Sequence, residues 1–255
     1  VSGLTYTSRD YNGQSIEPTG TLSVQNNLVS ADALEVKYVG TGDTEYDSTE
    51  APTNAGSYKV TYTIPSDNIL YSGSVSYNFE INKVKLTKPD IQEDWKKIEY
   101  TDGYINIVDH LTVFDEETMD VSGDTSKINV GKYRITVSVK DTVNYEFEDG
   151  TTSVDLDWEI TKKVLELPYL DEPTERWVYD GNEKDVMSLL QGYDDDTMAI
   201  SQSSTTSATG AGTYYVDIFL RNTNSYVFAD GETRVKLTWK IDHETVDIPE
   251  IDEDW

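Results

Sequence analysis

The chain has 255 residues, of which 36% are hydrophobic, and its 18 Tyr and 5 Trp supply large apolar side chains for small cores. Lys and Arg total 20 against 48 Asp and Glu, and the resulting formal charge of −28 repels phosphate backbones and anionic membranes. This balance excludes nucleic acid as an expected partner. The absence of cysteine excludes disulfides and thiolate ligands.

The sequence also lacks the usual signals for membrane insertion. No run of about 18 apolar residues occurs, and the opening VSGLTYTSRD has neither the charged nor the apolar region of a secretion leader. We therefore expect no membrane insertion of these residues. The acidic charge is interpreted as a solvated surface that keeps the protein monomeric.

The first of three internal repeats is predicted over residues 1–84. Its turn Tyr11-Asn12-Gly13 precedes YDSTEAPTNAGSYKVTYTI (46 to 64), in which apolar residues alternate with polar ones toward the end. A period of two indicates half-buried strands. The residues predicted to face inward are Tyr58, Val60, Tyr62, Ile64, Val75, Tyr77, Phe79 and Ile81.

The second repeat is predicted over residues 85–163. Trp95 precedes the turn Tyr100-Thr101-Asp102-Gly103, and FDEETMDVS (114 to 122), the segment Gly131-Lys132-Tyr133 and NYEFEDGTTSVDLDWEI (144 to 160) follow in that order. The inward faces are predicted to carry Tyr133, Ile135, Val137, Val139, Val154, Leu156, Trp158 and Ile160.

The third repeat, predicted over residues 164–245, contains the same landmarks in the same order. They are Trp177, Tyr179-Asp180-Gly181, YDDDTMAIS (193 to 201), Gly212-Thr213-Tyr214 and SYVFADGETRVKLTWKI (225 to 241). Junctions with a Pro, acids and a Trp recur at 86–95, 166–177 and 247–255. We therefore interpret residues 246–255 as the start of a truncated fourth repeat, with a period of about 80 residues.

One short segment of the second and third repeats allows two interpretations. In EKDVMSLLQ (183 to 191), the apolar residues Val186, Leu189 and Leu190 recur at helical spacing, whereas its counterpart INIVDHLTV (105 to 113) is rich in β-branched residues. A short helix and an irregular strand both remain open. Elsewhere, short alternating strands between turn signals predict an all-β fold of tandem immunoglobulin-like β-sandwich modules.

These landmarks resemble the bacterial immunoglobulin-like repeats called MBG and YDG domains. The resemblance rests on Tyr179-Asp180-Gly181, on the segment from Asn54 to Thr61, on Gly212-Thr213-Tyr214, and on the Asn144-Tyr145 frame with Asp149-Gly150 and Trp158. It implies a non-catalytic, extracellular stalk, scaffold or adhesin segment of a bacterial surface protein, with a host or matrix glycan or protein as partner. The first repeat departs from the pattern, because it has no Trp in its last strand and no Asp-Gly before it.

Two repeated motifs have both a structural and a functional interpretation. Asp149-Gly150 and Asp230-Gly231 each lie between alternating apolar runs, which is typical of a tight turn, and no Asp-x-Asp-x-Asp pattern of a calcium loop surrounds them. Trp158 and Trp239 are in register with inward apolar residues, so we predict core positions rather than sugar platforms. No cofactor is expected.

The remaining candidates are acids and histidines. Three consecutive acids occur at 115–117 and at 194–196, but on an extended chain they point to alternate sides and surround an ion poorly, so we expect no metal site. His110 aligns with Leu189, and His243 lies in a junction. Neither has a second His or Cys at metal-ligand spacing, and His110 does not recur although the modules do, so neither metal binding nor catalysis is expected.

Two aromatic residues of the third repeat are candidates for a binding role, although cover by a loop or a neighbouring module, or simple exposure without function, also explains them. Tyr215 and Phe219 lie on the outward register of a strand whose inward register is already apolar, where the first two repeats carry Lys59, Thr63, Arg134 and Ser138. At about 3.3 Å per residue, the two side chains stand about 13 Å apart. This spacing suggests the alternative function of a carbohydrate-binding module, or a docking patch for a partner protein.

Overall fold

The structure is a computed structural model that describes residues 2–24, 27–28, 33–172 and 177–247. The predicted start of a fourth repeat, including Pro249 and Trp255, lies almost entirely outside the described residues. The fold is all-β, as the alternation predicts. Among the described residues, none of the helices has the length and apolar character that crossing a membrane requires.

Among the described residues, nine strands lie in the predicted first repeat and at its junction with the second. Their bounds are β1 Ser2–Thr5, β2 Arg9–Asp10, β3 Thr19–Val24, β4 Asn27–Leu28, β5 Glu35–Thr41, β6 Asp47–Ser48, β7 Gly56–Thr63, β8 Ser74–Asn82 and β9 Val84–Leu86.

Eight strands and two short 3₁₀ helices lie in the predicted second repeat and at its junction with the third. The strands are β10 Lys97–Glu99, β11 Ile105–Asn106, β12 Met119–Gly123, β13 Ser126–Lys127, β14 Gly131–Val139, β15 Tyr145–Phe147, β16 Ser153–Thr161 and β17 Lys163–Leu165. The 3₁₀ helices are Glu93–Trp95 and Ile107–His110.

The described part of the predicted third repeat contains eight more strands and a 3₁₀ helix at Val186–Leu189. The strands are β18 Tyr169–Leu170, β19 Lys184–Asp185, β20 Leu190–Gln191, β21 Met198–Ile200, β22 Ser207–Ala208, β23 Gly212–Leu220, β24 Tyr226–Phe228 and β25 Arg234–Ile241. In the second and third repeats, the segment whose sequence allowed either a helix or a strand therefore forms a single 3₁₀ turn. A two-residue strand precedes the turn in each case.

The strands form four sheets of three to five strands and several sheets of two strands. The larger sheets have the strand orders β1-β3-β4, β2-β8-β7-β5-β6, β10-β16-β14-β12 and β21-β23-β25, and the two-stranded ones are β11-β13, β9-β15, β17-β24, β18-β20 and β19-β22. The long central strands pair antiparallel, whereas β2 with β8 and β10 with β16 pair parallel. A parallel bridge between Val178 and Asp242 occupies the same place in the third repeat.

The chain divides into two compact units. The first comprises Val1–Gln92, Val108–Thr125 and Arg134–Leu156, and the second comprises Glu93–Ile107, Ser126–Tyr133 and Asp157–Trp255. Each unit thus combines one outer repeat with part of the middle one. The repeat boundaries at residues 84, 163 and 245 stay a prediction.

The first unit has a core between two sheets of the first repeat. Leu4 of β1 and Leu22 of β3 pack in one cluster with Tyr58 and Val60 of β7 and Phe79 of β8. Each fully buried apolar side chain of this size stabilises the fold by about 1.5–3 kcal/mol. The face-to-face packing of two sheets is that of a β-sandwich.

The second unit has an equivalent core in the third repeat. Val216 and Ile218 of β23, Trp239 of β25 and Phe228 of β24 are buried together with Val186 of the 3₁₀ helix. The inward register predicted from the sequence is therefore confirmed. Trp239 also donates from Nε1 to the carbonyl of Thr205 at 2.8 Å, so its one polar atom is satisfied within the repeat.

A tyrosine at the start of the central strand is a shared feature of the three repeats. The hydroxyls of Tyr58, Tyr133 and Tyr214 donate to the carbonyl four residues upstream, at 2.8, 2.6 and 2.7 Å. Immunoglobulin-like sandwiches use a similar tyrosine corner. The rings of Tyr133 and Tyr214 pack 5.0 and 4.7 Å from Trp158 and Trp239.

The first repeat makes the same contact with a different partner. The ring of Tyr58 stacks on Phe79 with centroids 5.5 Å apart. Phe79 therefore occupies the place of the tryptophan, and the missing Trp is a replacement within the same architecture.

Candidate functional site: joints between repeats and an outer sheet face

The first joint is a parallel strand pair that follows the last long strand of the first repeat. Strand β9 pairs with β15 in the register Val84 with Tyr145, Lys85 with Glu146 and Leu86 with Phe147. The amide of Val84 donates to the carbonyl of Asn144 at 2.9 Å, which extends the ladder by one bond. The link between the repeats is thus hydrogen-bonded backbone rather than a free linker.

Asn144 is a buried polar residue at this joint. Its Oδ1 accepts from the amide of Ala55 at 2.7 Å, and its Nδ2 donates to Asn54 Oδ1 at 3.2 Å and to Asp141 Oδ2 at 2.8 Å. Two of these partners belong to the first repeat and one to the second. Buried polar groups that are fully satisfied fix one geometry, because a displaced group is left unpaired.

Lysines add charge pairing to the first joint. Lys85 bonds to Glu146 and Lys88 bonds to Asp149, while Lys83 lies 3.6 Å from Glu146 and donates to the carbonyl of Thr142. The bond from Lys85 holds the pKa of Glu146 below its usual range. The bond from Lys88 lowers the pKa of Asp149 in the same way. These pairs lie at the surface or are only partly buried, so each contributes little to stability.

The second joint repeats the backbone pattern of the first. Strand β17 pairs parallel with β24 in the register Lys163 with Tyr226, Val164 with Val227 and Leu165 with Phe228. The amide of Lys163 donates to the carbonyl of Ser225, a buried residue that corresponds to Asn144. The two joints are therefore built from the same backbone bonds and similar registers.

An edge-on tyrosine pair completes each joint. Tyr11 meets Tyr145 with centroids 5.6 Å apart at 78°, and Tyr100 meets Tyr226 at 5.6 Å and 86°. Aromatic pairs of this geometry are worth about 0.5–1.5 kcal/mol beyond their buried area. Tyr11 and Tyr100 belong to the Tyr-Gly turns that the sequence singled out, so these turns present a ring to the next repeat.

The Asp-Gly motifs form turns. The amide of Phe147 donates to the carbonyl of Thr151 at 2.8 Å, and Gly150 returns a bond to Phe147 at 2.8 Å, with φ of +83°. Gly231 makes the same return at φ +87°. Asp149 accepts from the Thr151 amide and hydroxyl, so its carboxylate closes the turn. The turn interpretation accounts for both residues.

The acidic runs close loops in the same way. Asp115 accepts from the amide of Glu117 at 3.0 Å and from the hydroxyl of Thr118 at 2.8 Å. Asp194 accepts equivalent bonds from Asp196 and Thr197. The amide of Glu117 and the hydroxyl of Thr118 lower the pKa of Asp115. Across the described residues, no group of three or more His, Cys, Asp or Glu side chains is arranged to hold a metal ion.

The histidines lie apart from any cluster of this kind. His110 ends the 3₁₀ helix Ile107–His110, at the position that Leu189 holds in the third repeat. His243 is exposed just after β25.

Tyr215 and Phe219 lie on the outer face of the sheet β21-β23-β25, with 43% and 38% of their surfaces exposed. The ammonium of Lys236 stands 3.9 Å from the Tyr215 ring centroid. Between the two aromatic residues, Asp217 accepts from Arg234 Nε at 2.6 Å, and this bond lowers the pKa of Asp217. One face of the Tyr215 ring is thus covered by a cation, and a sugar stacking there has to displace it.

The comparisons with known proteins bear on the first repeat. Residues 2–85 match the MBG domain family. The matched repeat is the one that departs from the other two in sequence, and the packing of Tyr58 on Phe79 shows how the missing Trp is replaced.

Two further comparisons add little. A similar solved structure is that of the fibronectin(III)-like modules of CbhA from Clostridium thermocellum, at 14% identity, covering 62% of this chain and 94% of that chain with a TM-score of 0.22. A TM-score this low supports no conclusion. No curated protein sequence matches the chain.

Sequence reasoning missed the joint strands of these repeats. The sequence predicts no strand at Val84-Lys85-Leu86 or Lys163-Val164-Leu165, because a three-residue strand has too few alternating positions to be recognised. A usable signal was present in the Tyr of each Asn-Tyr or Ser-Tyr pair, which recurs at 145 and 226 without a predicted role.

Proposed function

We propose that the chain is a non-catalytic stalk or scaffold segment of a bacterial cell-surface protein, positioned outside the cell. The proposal draws on the immunoglobulin-like repeat architecture and on the MBG domain match over residues 2–85. MBG-type modules typically occur in tandem in surface proteins. A stalk needs links that hold neighbouring repeats in a fixed arrangement, and a free linker does not provide them.

The observation that carries the proposal is the same parallel strand joint at two successive junctions, β9 with β15 and β17 with β24. Both joints add a tyrosine pair and a buried polar residue. A chain selected only for solubility has no use for a repeated link of this kind. High negative charge suits such a segment, because it prevents neighbouring stalks from associating.

Single-molecule stretching tests the stalk function. The full chain held by its ends is expected to unfold in three separate force peaks, each releasing about 80 residues, or on the order of 250 Å of extended chain. Asn224→Ala, which replaces an exposed Asn, should leave these peaks unchanged. Smooth extension at low force without discrete peaks would contradict a load-bearing role.

A second candidate function, glycan or partner binding, is favoured by one observation. Tyr215 and Phe219 expose two rings on one sheet face beside Lys236 and Arg234. Exposed aromatic residues are frequent anchors at binding surfaces. A glycan array probed with the full chain tests this function, and the double variant Tyr215→Ser with Phe219→Thr is the control that should lose any signal.

A further inference from the structure

The outer face of strands β23 and β25 is rich in cations, although the chain as a whole carries a formal charge of −28. Three of the four outward positions of β25 are Arg or Lys, whereas the matched positions of β16 in the second repeat carry one Ser and three acids. These positions are Arg234, Lys236, Thr238 and Lys240 in β25, and Ser153, Asp155, Asp157 and Glu159 in β16. The charge of this strand is thus reversed between the two repeats.

The three cations of this face differ in what they contact. The ammonium of Lys236 lies over the Tyr215 ring, 3.9 Å from its centroid. Among the residues that the structure describes, Lys236 forms no ion pair, whereas the other two cations are held by carboxylates, Arg234 by Asp217 and Lys240 by Asp242. Lys236 is therefore the cation of this face that is available to an incoming anion.

The contact of Lys236 with the Tyr215 ring favours an acidic sugar over a neutral one. At an exposed site, a cation–π contact and a salt bridge contribute similar, small free energies. A neutral sugar that stacks on Tyr215 displaces the ammonium and gives it no charged partner in return. A uronic acid carries a carboxylate at the edge of its sugar ring, so the displaced ammonium pairs with the ligand and the lost contact is replaced.

We propose that this face binds a polysaccharide of uronic acids, with sugar rings on Tyr215 and Phe219 and a carboxylate on Lys236. The inference rests on the second candidate function, glycan binding, and names its ligand class. The two aromatic side chains stand about 13 Å apart along β23, so a chain of several sugars reaches both rings and a single sugar does not. Lys236 selects the acidic ligand, and the rings supply the stacking surface.

A polar segment flanks the face on the side of β23 opposite β25. The amides of Ser201 and Thr205 donate to the carbonyls of Asp217 and Tyr215 at 2.8 and 2.9 Å, so the segment runs along β23. Its exposed residues are Gln202 and Ser203. Polar groups beside an apolar surface fix the orientation of a bound ligand, and sugar hydroxyls are suited to pair with them.

The total charge of the chain opposes a polyanion, so the ionic strength of the test matters. In about 0.15 M salt the Debye length is about 8 Å, and exposed charges farther apart than this are largely screened. The attraction between Lys236 and a bound carboxylate acts at contact and is screened less. Binding is therefore measured in about 0.15 M NaCl.

Isothermal titration calorimetry of the full chain with two polysaccharides tests the proposal. Polygalacturonate supplies the carboxylates, and its methyl ester has the same sugar backbone with these charges removed. The chain is expected to bind polygalacturonate about fivefold more tightly than the ester. Polyglutamate, which offers carboxylates without sugar rings, should bind at least about fivefold more weakly than polygalacturonate.

Lys236→Ala removes the ammonium and uncovers the Tyr215 ring. The affinity for polygalacturonate should fall about fivefold and that for the ester should rise, so the preference between them disappears. Lys132→Ala, which replaces an exposed lysine of β14 in the second repeat, is the matched control and should bind like the parent. Circular dichroism verifies that both variants stay folded.

The outcomes separate this proposal from the function on which it rests. Equal affinity of the parent chain for polygalacturonate and its ester would overturn the acidic ligand class and keep glycan binding. Binding of neither polysaccharide would overturn both. A preference that survives Lys236→Ala, or polyglutamate bound as tightly as polygalacturonate, would also overturn the proposal, because the anion is then selected without this lysine or without a sugar.

Discussion

Replacing Asn144 by alanine should weaken the first joint and leave the second intact. The substitution removes three side-chain hydrogen bonds and leaves the partly buried amide of Ala55 without its acceptor at 2.7 Å. At about 1 kcal/mol for each bond, we expect a loss of about 2 to 3 kcal/mol in the opening free energy of the joint. The carbonyl of Asn144, which accepts from the Val84 amide, is retained, so the effect is due to the side chain alone.

Hydrogen exchange measured by NMR at Val84–Leu86 provides the assay. A loss of 2 to 3 kcal/mol corresponds to about 30- to 150-fold faster exchange. Exchange at Lys163–Leu165 should not change, and Asn224→Ala, an exposed Asn in the corresponding loop of the third repeat, should alter neither segment by more than about 0.5 kcal/mol. Equal exchange at Val84–Leu86 in the two variants would refute the assignment of Asn144 as the residue that locks the joint.

Four other perturbations test the remaining interpretations. Gly150→Ala is expected to cost about 1 kcal/mol in urea unfolding, because its φ of +83° strains any side chain although the space is open, and a stabilised variant would contradict the turn. The double variant Tyr215→Ser with Phe219→Thr should stay folded with a loss of about 1 kcal/mol, and an unfolded third repeat by circular dichroism would place the pair in the core. The pKa of Asp180 is about 2 because Lys184 bonds to it at 2.7 Å, so its contribution to stability is present above the ordinary carboxyl pKa and disappears as pH falls through about 2. Carboxyl NMR titration checks this value, and Lys184→Ala should return the pKa toward its usual range. Millimolar calcium should not shift the melting temperature, and a rise that chelator reverses and magnesium does not reproduce would assign a site to the acidic loops.

The alternation of the long strands was readable from the sequence because burial there is decided by the strand's own residues. Ile135 and Val137 are buried and Arg134 is exposed, as a period of two requires. The 3₁₀ turn at Ile107–His110 was not readable, since β-branched residues favour strand while the spacing favours helix. The conformation of this segment depends on the packing around the buried Ile107, and the intrinsic preferences of its residues for helix or strand do not reveal that packing.

The joints were unreadable for a different reason. Each joint strand has three residues, and its partner lies far along the chain, so neither periodicity nor turn chemistry marks the pairing. The outward register of Tyr215 and Phe219 was visible in the sequence. The ammonium of Lys236 over the Tyr215 ring was not, because it depends on which strand lies beside β23.

The two strands of the first joint lie far apart in the sequence, so they are synthesised at different times. Lys85 and Glu146 are 61 residues apart, so the acceptor strand leaves the ribosome about 3 to 12 s after the donor at ordinary translation rates. During that interval the first repeat already has all the strands of its own core, but its β9 has not yet paired with β15. Each repeat can therefore finish its own core before the next one captures its trailing segment, which reduces the chance that neighbours of similar sequence exchange strands.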